Sequence, residues 1–221
     1  MKKAFITGAS RGIGAATAQK LKEMGYEVVA PSHSELDLSN PASVESYCEK
    51  IKDVTFDVLI NNAGINEVND VENITDDELD RTMQINLISP IRLIRAAVPN
   101  MKKNGGGRIV NLGSIWGLAG KPGRVTYAAT KHGIHGVTQT LAVELAPYNI
   151  LINTVCPGFT LTELTYKNNT PEQIEEISAY IPAKRMAKPE EQAAFICYLA
   201  SEENTYITGQ QIAVDGGYTA K

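Results

Sequence analysis

Short, unbroken apolar runs alternate with longer stretches of helical periodicity along the 221-residue chain. The apolar runs fall at 4–7, 27–30, Val58–Asn61, 108–112, 151–156 and Gln211–Val214. They are rich in β-branched residues and do not alternate with polar ones, which suits strands covered on both faces, as in a parallel sheet. Between them the apolar spacing predicts helices at 13–24, Pro41–Ile51, 76–103 in two pieces, Val125–Leu145 and Pro189–Ala200. Gly25 stops the first helix, and the run Asn104, Gly105, Gly106, Gly107 separates a helix from a strand. Strand and helix in strict alternation predict an α/β fold: one domain over 1–221, a Rossmann-type doubly wound parallel sheet flanked by helices. No internal repeat or linker interrupts it.

One interval breaks the rhythm. After Val28, Val29 and Ala30 come Pro31, Ser32, His33, Ser34 and Glu35, and then at once Leu36, Asp37 and Leu38. A doubly wound sheet places a crossover helix between its second and third strands, and a crossover needs at least ~10–12 residues. Either a helix is deleted here, or 36–38 is a short edge strand reached by a tight loop. The favoured expectation is the shortened edge strand.

The first strand runs into Thr7, Gly8, Ala9, Ser10, Arg11, Gly12, Ile13 and Gly14, which open the first helix. Gly8 permits a sharp turn, Gly12 lets backbone approach a pyrophosphate, and Gly14 lets helix pack on strand. The free N–H groups and positive dipole end of that helix complete a dinucleotide site running from Gly8 and Ser10 through Arg11 and Ile13. An acid closing the second strand would hold a ribose 2′-hydroxyl and select NAD. Here Ser32 stands there, followed by His33 and Ser34. Their donors, with the Arg11 guanidinium, suit a 2′-phosphate, so NADP(H) is favoured and NAD(H) remains open.

Tyr127 and Lys131 lie four residues apart near the start of a helix, which sets phenol and ammonium on one face. A nearby cation favours phenolate and brings the tyrosine toward general acid–base work. The pair alone carries little, since 9 tyrosines and 14 lysines in 221 residues yield about 0.6 such pairs by chance. Tyr180 and Lys184 form a second, with Pro182 interrupting it and Lys167 rather than serine thirteen residues upstream. The first pair has Ser114 at that distance, just past the strand 108–112, where residues face the ligand crevice of a parallel sheet. Its hydroxyl could hold a carbonyl oxygen as charge develops there. Asn61, Asn62, Ala63 and Gly64 end another strand at the same edge. Asn86 interrupts a helical pattern, either exposed or opening the helix to free a carbonyl for water.

Composition changes this picture little. The net charge of −4 offers no electrostatic case for nucleic acid or an anionic membrane. Cys48, Cys156 and Cys197 are far apart and form no metal-ligand spacing, so no metal is expected and the three read as buried apolar residues in a reducing compartment. Met1, Lys2 and Lys3 lead straight into the first strand, and no apolar run approaches ~20 residues, so a cytoplasmic protein without a leader or membrane span is expected.

Taken together, the glycine turn at 7–14, the sequence Asn61-Asn62-Ala63-Gly64, Asn86, Ser114, Tyr127 with Lys131, and Pro157-Gly158 resemble the short-chain dehydrogenase/reductase family over nearly the whole chain. The resemblance implies that Tyr127 exchanges the proton, Ser114 holds the carbonyl oxygen, and Lys131 binds the nicotinamide ribose and favours tyrosinate. It implies that Asn86 positions a water linking Lys131 to solvent. Asp37 and Leu38 match an adenine-contacting pair, Asn61, Ala63 and Gly64 lie along the cofactor, and Pro157, Gly158 and Thr160 border the nicotinamide. It further implies a homotetramer or homodimer, built with the helices around Asn86 and Tyr127 and the C-terminal strand. Among branches the chain is most similar to 3-oxoacyl-[acyl-carrier-protein] reductases, through Arg11, Ser32, and Gly113 with Ser114. It departs from the pattern in the short interval after the second strand, which removes one cofactor wall and exposes the adenine.

Residues 159–185 are expected to form a substrate lid with Leu161, Leu164, Tyr166, Ile174, Ile177, Tyr180 and Ile181, opposite Trp116 and Leu118. These favour an apolar ketone or acyl thioester, unless half of them pack the lid onto the core. Two other functions compete: an NAD(H)-dependent dehydrogenase of a sugar, polyol or other small alcohol, and a non-catalytic nucleotide-binding redox sensor. The intact Ser–Tyr–Lys set argues against the second.

Overall fold

The computed structural model describes residues 1–220, apart from the side chains of Leu164 and Asn168. The chain runs β1 (Lys3–Ile6), α1 (Gly12–Glu23), β2 (Glu27–Val29), α2 (Pro41–Ile51), β3 (Val58–Asn61), α3 (Asp76–Met83), α4 (Ser89–Lys103), β4 (Gly107–Leu112), α5 (Val125–Leu145), β5 (Ile150–Pro157), α6 (Glu163–Asn168), α7 (Pro171–Tyr180), α8 (Pro189–Ala200) and β6 (Gln211–Val214). The strands form one parallel sheet in the order β2-β1-β3-β4-β5-β6. From β1 the chain passes outward to β2, and from β3 it passes in the opposite direction to β4. The carboxyl ends of β1 and β3 therefore open the crevice where such sheets hold ligands.

Successive strand residues bury on opposite faces. Phe5, Leu59, Ile109 and Ile152 pack beneath α2, α4 and α5 with Val44, Leu93, Met101 and Leu145. Ala4, Ile6, Ile60, Val110 and Val155 pack beneath α1 and α8 with Leu21, Ile196 and Leu199. Covering on both faces explains why the strands read as continuous apolar runs. The helix starts are marked locally: Asn40 accepts from the N–H of Ala42 at 3.0 Å ahead of Pro41, and Thr75 caps α3.

The expected edge strand at 36–38 does not form, and β2 is itself the sheet edge. The donors of this segment are spent locally. The Leu36 N–H donates to the Ser32 carbonyl, the Asp37 N–H to Ser43 Oγ, the Ser39 N–H to Asp37 Oδ1 and the Asn40 N–H to the Asp37 carbonyl. Leu36 and Leu38 still point inward and join the core under α2. Helix and strand are both absent, and the chain passes from β2 through this coil directly to α2.

Candidate active site

The glycine turn is sterically committed to its shape. Gly8 and Gly12 have φ of +68° and +56°, and a Cβ on Gly14 would lie 2.1 Å from the Gly8 carbonyl oxygen. Thr7 Oγ1 accepts from the N–H groups of Asn62 and Ala63 at 3.1 Å each, and Asn62 Nδ2 donates to the Thr7 and Gly8 carbonyls at 2.9 Å. These bonds lock the turn to the end of β3; Thr7 and Asn62 act through tertiary bonds that the glycine pattern does not announce. Arg11 precedes α1 without capping it, and no acid occupies the first turn, so the helix end keeps its free N–H groups and positive potential. A cradle no side chain can fill, beside uncapped donors, fits a dinucleotide's pyrophosphate.

From this turn a cleft of about 510 Å³ extends over Gly8, Ser10, Ser32, His33, Asp37, Leu38, Ala63 and Gly64. It unites eight of the expected cofactor residues. Asn61 does not line it: this side chain is buried, and its Nδ2 donates to Asn111 Oδ1 at 2.9 Å. Ser32 is not a free donor either. Its N–H and its hydroxyl both donate to Glu35 Oε2 at 2.8 Å, which holds the Glu35 carboxyl below its ordinary range. Of the groups expected to meet a 2′-phosphate, the exposed Arg11 and His33 remain, with His33 Nδ1 3.9 Å from Asp37. Hydrogen bonds from Ser39 likewise hold the Asp37 carboxyl low.

The second end of the crevice gathers Ser114, Tyr127, Lys131 and Asn86. Ser114 leaves β4 in extended conformation, and its hydroxyl accepts from the Trp116 N–H at 3.1 Å. Lys131 is buried, with Nζ donating to the Leu112 carbonyl at 2.6 Å and lying 5.5 Å from the centre of the Tyr127 ring. Burial pulls the Lys131 ammonium down to about 8. Burial pushes the Tyr127 phenol up, while Ser114 and the Arg124 charge pull it back. Asn86 lies in a π-helical turn, Gln84–Ile88, between α3 and α4. It is buried rather than exposed: Oδ1 accepts from the Ile65 N–H at 2.9 Å, and Nδ2 donates to the Ile65 carbonyl and to Thr130 Oγ1. A Cβ on Gly64 would stand 3.2 Å from Asn86 Oδ1 and 3.5 Å from Lys131 Nζ, so the end of β3 passes close to both side chains.

Pro157 ends β5, the Gly158 N–H donates to the Val214 carbonyl at 3.0 Å, and Thr160 Oγ1 donates to the Gly158 carbonyl at 3.1 Å. Beneath them the fully buried Gln192 reaches Thr160 Oγ1 from α8. The expected lid divides as its apolar residues allow. Ile181 is buried, Ile174 and Ile177 are half-buried, Tyr166 and Tyr180 are exposed, and the Leu164 side chain lies outside the described residues. Trp116 packs edge-on against Phe159 and Tyr218 rather than opening to the mouth, whereas Leu118 is exposed. Lys184, of the second Tyr–Lys pair, follows α7 with φ +57° and donates to the Ala179 carbonyl. Cys156 and Cys197 are buried, and burial pushes the Cys197 thiol up to about 12. No helix among the described residues is long and apolar enough to cross a membrane.

A family profile described as enoyl-(acyl carrier protein) reductase matches residues 30–219. A 3-oxoacyl-[acyl-carrier-protein] reductase of Vibrio cholerae is 39% identical over 98% of this chain and 96% of its own. Among solved structures, an NAD(P)-dependent gluconate 5-dehydrogenase of Beutenbergia cavernae with bound NADP has a TM-score of 0.93 at 31% identity, covering 100% of this chain and 97% of its own. A 4-hydroxyisoleucine dehydrogenase in complex with NADH has a TM-score of 0.94 at 29% identity, covering all of both chains.

Proposed function

This chain belongs to the short-chain dehydrogenase/reductase family and is a nicotinamide-dependent oxidoreductase of an alcohol–ketone pair; within that activity we propose that Ser114, Tyr127 and Lys131 perform the chemistry on a ketone such as a 3-oxoacyl thioester, with NADP(H) as the preferred cofactor. The observation that carries the assignment is the buried Lys131 ammonium 5.5 Å from the centre of the Tyr127 ring, with the buried Ser114 standing where the chain leaves β4. When bound, the nicotinamide supplies the hydride in reduction and takes it up in oxidation. Gly8, Ser10, Gly12, Ile13 and Gly14 would hold its pyrophosphate; Asp37, Leu38, Ala63 and Gly64 would line the adenine and ribose, and Pro157, Gly158 and Thr160 the carboxamide. Arg11 and His33 are the partners left for a 2′-phosphate, and the open wall beyond β2 leaves room for NAD(H) as well.

In reduction the Tyr127 O–H gives its proton to the carbonyl oxygen, which Ser114 holds in the same hydrogen-bonding field. Lys131 keeps a positive charge beside the phenolate so formed, and Asn86, tied to Ile65 and Thr130, holds the water route by which that proton returns. Oxidation runs the same transfers backward. We carry over from the family resemblance a homotetrameric or homodimeric assembly, and we propose a cytoplasmic location.

Replacing Tyr127 with Phe removes one oxygen and no packing. Turnover of a 3-oxoacyl thioester should fall by about 10²–10⁴, while NADPH fluorescence still reports binding. Unchanged turnover in Tyr127→Phe would overturn the assignment. A second reading, a dehydrogenase of small hydroxy acids, is favoured by the Arg124 guanidinium near Tyr127, which has no carboxylate partner among the described residues, and gluconate and 4-hydroxyisoleucine, named for the two structural neighbours, both carry a carboxylate.

A further inference from the structure

Arg124 immediately precedes α5 and stands three residues before Tyr127 on the same helical face. Its guanidinium is half-buried: Nη1 donates to the side-chain oxygen of Asn66, and Nε is enclosed with no hydrogen-bond partner. Among the described residues no carboxylate pairs with it. Glu78, the buried acid of the same wall, spends its oxygens on Asn69 Nδ2 and Thr126 Oγ1. The loop that carries Arg124 is itself held in place. Gly123, at φ +72°, receives a 3.2 Å hydrogen bond from the Asn69 N–H, which ties the loop carrying Arg124 to the loop after β3.

A cation withdrawn from water without a counter-charge costs free energy, and burial accordingly lowers the affinity of Arg124 for its proton. Such a group beside a reacting phenol marks a binding site whose anion is supplied from outside. The Nη edge of the guanidinium matches a carboxylate, and Arg124, the N-cap residue of α5, stands one turn ahead of Tyr127. The anion therefore belongs within a few carbons of the carbon that Tyr127 serves. We propose that Arg124 binds a carboxylate on the substrate, and that the preferred substrates are short oxo acids and the corresponding hydroxy acids. The proposal rests on the hydride-transfer reading of Ser114, Tyr127 and Lys131, and it ranks free acids above neutral thioesters and esters at that site.

The test compares 3-oxo acids of four to eight carbons with their methyl esters, which keep the ketone and remove the charge. Wild-type enzyme should show a higher kcat/KM for the acids. In Arg124→Met the acid-to-ester ratio should fall about ten- to a hundredfold, chiefly through KM, and Arg124→Lys should retain part of it. A ratio cancels any general effect on Tyr127 or on folding. Lys121 sits on the same loop, with Nζ 5.0 Å over the Trp116 ring, and Lys121→Met should leave the ratio where it was. Esters preferred by the wild type, a ratio indifferent to Arg124, or a ratio lost in Lys121→Met would each overturn the proposal. If the enzyme turns over a 3-oxoacyl thioester but none of these acids, this proposal falls and the hydride-transfer reading stands; if neither the thioester nor the panel oxidises NADPH or NADH, both fall.

Discussion

Lys131 is an ammonium buried against a backbone carbonyl, and its pH behaviour follows from that burial. Its folded value of about 8 lies below the ordinary 10.5, so the fold favours the neutral amine. Below about pH 8 the lysine is charged in folded and unfolded chain alike and adds no pH-dependent stability; between about 8 and 10.5 the unfolded chain binds more protons, and stability rises with pH. Catalysis runs the other way. Carbonyl reduction needs the charged lysine beside Tyr127, so kcat/KM for reduction should decline as pH rises through about 8, while oxidation should not decline there. Initial rates in both directions from pH 6 to 10 check this, and a reduction rate flat to pH 9.5 would remove Lys131 from the proton path. The convergence of Ser114, Tyr127 and Lys131 on one end of the crevice was legible in the sequence because strand, helix and spacing together fix their placement. Arg124 was not, since its isolation depends on Asn66 and on the loop that Asn69 holds, neither of which leaves a periodic trace.

At the scale of elements, the helices and strands followed the apolar pattern closely, and the failures fell where side chains rather than backbone periodicity decide. The segment 36–38 has the apolar spacing of an edge strand, yet Asp37, Ser39 and Ser43 draw its backbone bonds into a local coil. The turn around Asn86 was read as a break within 76–103; its wide π form goes with three bonds from Asn86 to Ile65 and Thr130, residues distant in sequence. The coil after β2 also bears on cofactor choice. It folds the Glu35 carboxylate onto Ser32, at the position where an acid closing the strand would disfavour a 2′-phosphate. Removing that charge in Glu35→Gln should tighten NADPH relative to NADH by roughly two- to fivefold, the scale of an exposed charge pair. Fluorescence titration of both nucleotides measures the ratio without turnover, and a shift toward NADH would show that Glu35 serves the turn alone.

At the scale of the whole molecule, the sheet turns one face of α5 inward and leaves an apolar part of the opposite face outward. α5 carries Tyr127 and Lys131 inward, while the same helix leaves Val143 81% exposed and Val125 55% exposed. Ile88 and Ile91, beside the turn that holds Asn86, are exposed as well. Single exposed apolar residues are ordinary on a monomer, but four of them on elements that also carry the catalytic set suit an interface that stiffens the site it borders. If the family's assembly holds here, the wild type should sediment at micromolar concentration near four times the 23.9 kDa of one chain. Val143→Glu buries a charge at any contact formed by that face and should shift the distribution to smaller species without unfolding the monomer, because the position is solvent-facing within one chain. Circular dichroism separates loss of assembly from loss of fold. A wild type that sediments as one chain would detach the catalytic reading from quaternary structure altogether; assembly unmoved by Val143→Glu would place the interface on some other face than the outer one of α5.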